Sequence, residues 1–324
     1  MSEPSSEPLP KSSNLDDLCE VLSKCKSLGI LTGAGLSAGS GIPTYRGVGG
    51  HWKTTDPQDV ASLKAWNENP GRVWSFFHPR RDQILKASPN DAHLALASLS
   101  IPSVRKRLLP SLVDQSKPPL YITQNIDGLC RRSIEETLRQ TGAEEMDEDD
   151  KKAAQERHLE MHGNVNRTIC TQCKCIKWTE ETPLAPIFAE ANLPLGEGQD
   201  INIPVESLPR CGGPTWSGSN RYGRCGGLLR PGAVWFGEVP ENQGEIIRLL
   251  TKVDVLLVIG TSSLVQPASS YAGTVKKNGG HVALFNLGPS QGDDTADFVV
   301  YGPCEETIPK TLVRLGELND QKNA

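Results

Sequence analysis

The sequence predicts an α/β protein: a parallel sheet covered on both faces by helices, with a small cysteine-bearing module inserted. Two observations carry this. Five short apolar runs, Leu28 to Leu31, Leu120–Thr123, Val253–Ile259, Val282–Phe285 and Phe298–Tyr301, each end in a polar or Gly-rich turn, with helical patterns between them. Residues Asn164 to about Arg230 differ in character, with five cysteines toward the two edges and Pro and Gly between. Composition agrees: 31 Gly and 24 Pro in 324 residues exceed average usage of roughly 12% for the pair, but stay below low-complexity disorder.

Residues 1–13, MSEPSSEPLPKSS, lack an apolar signal core and the arginines of a mitochondrial presequence, and read as a disordered tail. The expected compartment is therefore the cytoplasm or nucleus, with the mitochondrion as the alternative. A helix opens near Asn14, with Leu15, Leu18, Cys19 and Leu22 at helical spacing. In a parallel sheet ligands bind at the carboxyl ends of the strands, so chemistry belongs in the turns after the apolar runs. The acidic run from Glu144 to Lys152 reads as a solvated loop or frayed helix end rather than a partner-binding segment. A net charge of −5 disfavours direct binding to nucleic acid or to anionic membranes. The longest clean apolar stretch, Val255 to Ile259, falls far short of the ~20 residues a membrane helix needs.

Four turns and a junction attract attention. Gly33-Ala34-Gly35-Leu36-Ser37 follows the first strand. Glycines there let the backbone approach a pyrophosphate, although the spacing is not that of the ordinary dinucleotide fingerprint and a tight structural turn is the alternative. Gln124, Asn125 and Asp127 follow the second run, as ribose or amide contacts or as a helix cap. Gly260-Thr261-Ser262 and Asn286 follow the third and fourth runs with the same ambiguity. At the junction, His162 beside Gly163 is either a general base or a satisfied structural histidine.

Nine cysteines in a chain of this size suggest metal or catalytic use rather than a disulfide scaffold. Cys170 and Cys173 form a C-x-x-C knuckle, and Cys211 and Cys225 stand about forty residues on. Four thiolates suit tetrahedral Zn2+ in a structural role, since an all-Cys site leaves no position open for water. The second pair is spaced unusually widely, and Cys175 competes as a ligand.

The order GAGLSAGSGIPTYRG, TQNIDG, HG, CTQC, second Cys pair, VWFGE, GTSS resembles the sirtuins, NAD-dependent protein-lysine deacylases, over about Ser27 to Leu315. The resemblance implies a Rossmann-type, doubly wound domain (14–163 and 231–324) and a smaller zinc-binding domain (164–230), with which part of 35–85 also packs. NAD and an acyl-lysine protein or peptide would meet in the cleft between them. It further implies that Gly33, Ala34, Gly35, Tyr45 and Arg46 belong to the NAD loop. Gln124, Asn125 and Asp127 would hold the ribose and nicotinamide pocket. Gly260, Thr261, Ser262, Asn286 and Cys304 would contact the adenosine side. Asn125 and His162 would be catalytic, His162 as base, and Val234, Phe236, Gly237 and Glu238 would pair with the peptide. In the family reaction the acyl oxygen displaces nicotinamide, and the base then takes a proton from a ribose hydroxyl.

The stretch from Gly47 to Arg81 is similar to the sirtuin class that prefers succinyl- or malonyl-lysine. That class places Ala, Tyr and Arg in the acyl pocket, which fall here on Ala61, Phe77 and Arg80. Phe77 lacks the hydroxyl, and a lost hydrogen bond to a charged acceptor costs roughly 1.5–3 kcal/mol. Arg80 is either a carboxylate partner or a solvated helix arginine. The rival functions are mono-ADP-ribosyl transfer and zinc- or NAD-binding without turnover.

Overall fold

The apolar runs assemble into one parallel sheet. The computed structural model describes residues 12–45, 56–140, 146–189, 203–212 and 225–323. Its elements begin with α1 (Leu15–Lys24), β1 (Leu28–Thr32), α2 (Leu63–Glu68), α3 (Pro70–Lys86), α4 (Asp91–Ser98) and α5 (Pro102–Leu108). Next come β2 (Leu120–Thr123), α6 (Leu129–Gln140), α7 (Glu148–Glu156), β3 (His158–Glu160), β4 (Gly163–Cys170) and β5 (Ile176–Trp178). The chain ends with β6 (Leu229–Ala233), α8 (Gln243–Leu250), β7 (Val255–Ile259), α9 (Tyr271–Lys277), β8 (His281–Asn286), β9 (Phe298–Tyr301) and α10 (Cys304–Asn323).

The larger sheet has the order β3-β2-β1-β7-β8-β9, parallel throughout. Counted along this sheet alone, that is 3-2-1-4-5-6, the order of dinucleotide-binding folds, with its reversal between β1 and β7. Strand alternation divides the core. Ile30 and Leu257 pack with Leu18, Leu96, Ile134 and Ile308 on one face. Leu31, Leu256 and Val258 pack with Ile246, Leu250 and Val275 on the other. Neighbouring residues of one strand thus serve opposite helix layers, so near-continuous apolar runs are required.

The second sheet is antiparallel, with order β5-β4-β6. Val73, Trp74 and Phe77 of α3 join Phe188, Leu208 and Trp235 in a third apolar cluster. Trp74 Nε1 donates to the Leu229 carbonyl at 2.9 Å, and Arg81 donates to the Thr179 carbonyl at 2.6 Å. The helices that follow the first glycine loop therefore pack beside the small sheet.

Several elements differ from the sequence reading. β3 was not expected; two of its three residues are polar, and His158 and Glu160 are buried by pairing rather than by apolarity. None of the three small-sheet strands was read. β7 begins at Val255 rather than Val253, and β8 runs from His281 to Asn286. Ser12, assigned to the tail, bridges Phe298, with its N–H donating to Asp297 and its hydroxyl to Asp17. The acidic run forms α7 from Glu148 onward, because Asp147 accepts from Asp150 N–H as the cap and three acids face the positive helix end. Met146 is buried; Glu144 and Glu145 lie outside the described residues. Among the described residues no helix is long and apolar enough to cross a membrane.

Two glycine substitutions test the packing at the switch point. Gly260 has φ +62°, and a Cβ there would lie 2.3 Å from Leu36 N. Gly260→Ala is expected to cost about 2 kcal/mol or more, read as a lowered denaturant midpoint. Gly273, inside α9 with open space around it, is expected to gain about 0.5–1 kcal/mol as Ala.

Candidate active site

The site begins with backbone. Gly33 N–H donates to the Ile259 carbonyl at 2.9 Å and Gly35 N–H to the Gly260 carbonyl at 2.7 Å, joining the loops after β1 and β7. A Cβ on Gly33 would stand 2.8 Å from Gly260 O, and one on Gly35 2.7 Å from Gly260 Cα. Side chains would fill this cradle. Its bareness, followed by a 3-10 helix over Ala34–Ser40, fits the pyrophosphate of a dinucleotide. The cleft that opens here has a volume of about 1000 Å³.

Most residues expected for the cofactor line this cleft: Gly33, Ala34, Gly35, Tyr45, Gln124, Asn125, Gly260, Thr261, Ser262, Asn286 and Cys304. Gln124 Nε2 donates to Thr261 Oγ1 at 3.2 Å, tying the β2 end to the β7 end. Asn286 Nδ2 donates to the Thr261 carbonyl at 2.9 Å and to Ser290 Oγ at 3.1 Å, so its amide shapes the loop beside it. Arg46 lies outside the described residues.

Asp127 lies behind the residues that line the cleft. It is buried behind Asn125, where Oδ1 accepts from Leu129 N–H at 2.9 Å and Oδ2 from Ser37 Oγ at 2.7 Å. Ser37 Oγ in turn accepts from Asn125 Nδ2 at 3.1 Å, and that amide also donates to the Gly33 carbonyl at 3.0 Å. Burial raises the Asp127 pKa, against the lowering effect of the Leu129 and Ser37 bonds. Asp127 thus caps α6 and fixes Asn125 through Ser37. Sequence reasoning missed the linking Ser37, although it sits inside the glycine motif. It also missed His93, whose Nε2 is 3.5 Å from Ser37 Oγ; burial pushes its pKa down to about 4.

His162 stands between the two sheets and lines the cleft. Its Nδ1 is 2.9 Å from the Gln124 carbonyl. A carbonyl only accepts, so Nδ1 carries the proton and the neutral ring keeps its lone pair at Nε2. Burial lowers the His162 pKa, partly offset by that backbone bond. The Gln124 bond thus fixes the tautomer and the orientation of the ring.

The strip after β6 closes the opposite wall. Val234 N–H donates to the His162 carbonyl at 2.8 Å, and Phe236 N–H to the Ala61 carbonyl at 2.9 Å. Arg230 grips Glu238 with two bonds of 2.7 and 2.8 Å while its guanidinium lies 3.5 Å from the Trp235 ring centroid. Val234, Phe236, Gly237 and Glu238 all face the cleft, as do Ala61 and Phe77. Arg80 is turned back along α3. One turn of α3 explains this. Arg80 Nη1 donates back to the Phe76 carbonyl at 2.7 Å, and its guanidinium stacks 3.5 Å from the Phe76 ring centroid.

Cys170, Cys173, Cys211 and Cys225 converge, with all four sulfurs within 4.8 Å of one another. Cys170–Cys225 and Cys173–Cys211 are each 3.7 Å apart. A tetrahedron with Zn–S of about 2.3 Å has edges of about 3.8 Å, so these thiols fit zinc. Cys175 is outside the group; its carbonyl instead accepts from Cys170 N–H, closing the knuckle turn.

A glycine cradle at a sheet reversal, a half-buried histidine and the 234–238 strip line one cleft beside a four-thiol module, the arrangement of an α/β enzyme that takes a dinucleotide. The chain matches the Sir2 family profile over residues 33–144 and 135–267. It is 38% identical over 305 residues to the Xenopus tropicalis "NAD-dependent protein deacylase sirtuin-5, mitochondrial", covering 94% of this chain and 86% of that one. It is 34% identical over 309 residues to a Daphnia pulex "NAD-dependent protein deacylase", covering 95% and 99%. A solved Sir2 homologue–NAD complex has a TM-score of 0.69 at 28% identity, covering 97% of this chain and 98% of that one. The protein belongs to the Sir2 family.

The metal site has a direct test. The purified chain is expected to carry one zinc per molecule by elemental analysis, and Cys211→Ser to lose most of it. Because zinc binding contributes folding energy, on the order of 10 kcal/mol in small zinc modules, chelation should lower the melting temperature.

Proposed function

We propose that this protein is an NAD-dependent protein-lysine deacylase in which His162 is the general base and Asn125 orients the reacting ribose. The observation that carries the reading is that His162, the glycine cradle and the 234–238 strip line one cleft. The deacylase names of the relatives support the activity. Bound there, NAD supplies an activated anomeric carbon from which nicotinamide departs. The protein's share is positional. The bare backbone of Gly33, Gly35 and Gly260 admits the diphosphate, and Gln124, Thr261, Ser262, Asn286 and Cys304 receive the ribose and adenosine. Tyr45 covers the reacting face. The 234–238 strip adds the peptide as a strand, so that main-chain bonds fix the lysine without demanding a sequence. His162 Nε2 takes the ribose hydroxyl proton, a task suited to a neutral imidazole near pH 7. The four cysteines hold zinc to shape the small unit, which we take to comprise 164–230 together with α2 and α3.

The acyl chain would enter beside Ala61 and Phe77. Acetyl-lysine needs nothing more than that apolar pocket. An acidic acyl group also needs Arg80 to exchange its Phe76 carbonyl for the incoming carboxylate. The relatives named mitochondrial support that compartment over the cytoplasm or nucleus.

Mass spectrometry of acetyl-, succinyl- and malonyl-lysine peptides incubated with NAD tests the reading; nicotinamide release with no deacylated peptide would overturn it. Arg80→Met is expected to slow succinyl removal about tenfold or more while sparing acetyl removal, the loss of one charge-assisted pair. Equal losses would leave Arg80 a purely structural role. Because burial lowers the His162 pKa and the neutral ring is the active form, activity should persist as pH falls through 6.5 and fail only below it. His162→Ala should remove deacylation at every pH.

A further inference from the structure

The base is held by a two-residue connector between β3 and β4, and its flanking residues are joined across it. Asn164 Nδ2, two residues after His162, donates to Glu160 Oε1, two residues before it, at 2.7 Å. Both side chains are buried, Asn164 with 1% exposure and Glu160 with 7%. The second carboxylate oxygen of Glu160 accepts from Arg131 of α6 at 2.5 Å. Asn164 Oδ1 accepts from Asn166 N–H at 2.8 Å, which fixes the orientation of the amide. The same amide lies against the loop that carries Asn125. A Cβ on Gly128, where φ is +71°, would stand 2.9 Å from Asn164 Nδ2, and Val165 N–H donates to the Ile126 carbonyl at 2.8 Å.

We propose that Asn164, clasped to Glu160, is a positioning residue that sets the ring of His162 against the ribose-holding loop. The inference rests on His162 being the base. Main-chain bonds hold the connector on each side: Met161 N–H to the Thr123 carbonyl, and Val234 N–H to the His162 carbonyl. They fix its path but not its curvature. The Glu160–Asn164 bond spans the bend itself and fixes how far the imidazole projects. Arg131 pairs with the other oxygen of Glu160 and so holds the carboxylate in one orientation. Asn164 is not among the residues that line the cleft, so its effect falls on the proton-transfer step.

That restriction supplies the test. Exchange of labelled nicotinamide into NAD needs only departure and return of nicotinamide, before the base acts, whereas deacylation needs the base. In the full-length protein with an acetyl-lysine peptide, Asn164→Ala is expected to lower the deacylation kcat about ten- to hundredfold. The KM for NAD and the exchange rate should stay within about twofold. Asn164→Asp keeps the size and the acceptor for Asn166 N–H but loses the donor, and should show the same split while folding normally by circular dichroism. Exchange and deacylation falling together, or neither falling in either variant, would overturn the proposal. His162→Ala, run alongside, separates the two readings: continued deacylation there removes His162 as base, whereas its loss beside a wild-type-like Asn164→Asp removes only the clasp.

Discussion

Everything in the site depends on two loops being able to touch through bare backbone. Gly33 and Gly35 after β1 meet Gly260 after β7 with carbonyls and α-carbons in contact. Any side chain would wedge these strand ends apart at the point where the sheet reverses direction. The contact does more than admit a diphosphate. It sets the spacing at which Gln124 reaches Thr261 and Asn125 reaches the Gly33 carbonyl. The loops after β1, β2 and β7 and the buried Ser37–Asp127 pair are therefore registered to one another through a seam of backbone contacts.

The buried polar groups are arranged in the same economical way. Asp127 is costly to bury, and its partners are a helix-start N–H and one hydroxyl rather than a cation. That choice leaves a fixed acceptor whose direction is dictated by α6, and it transmits the position of the helix to Asn125. Arg230 works similarly at the far wall. It holds Glu238 and lies over Trp235, so the 234–238 strip is curled by an internal pair.

The central strands were legible because burial on both faces leaves an uninterrupted apolar run. β1, β2 and β7 carry that signature; β3 does not, since it lies at an edge and its His158 and Glu160 are sheltered by Tyr121 and Arg131. The small sheet left no periodic trace because its order comes from the cysteine cluster and from docking on α3, neither of which is local in sequence. Motif spacing located the cleft residues well, since strand ends bring them together whatever lies between. It could not foretell the bonds of Arg80 and Asp127, because side-chain direction is decided by near neighbours, the Phe76 carbonyl in one case and Ser37 in the other. Those choices become visible only when the helix turn and the opposing loop are both in place.

Only Met161 and His162 separate the last residue of β3 from the first of β4. A connector this short has no slack. Any change in the angle between the two sheets reaches the imidazole as a rotation instead of being absorbed along a loop. The imidazole therefore has no position independent of the two strands that end beside it.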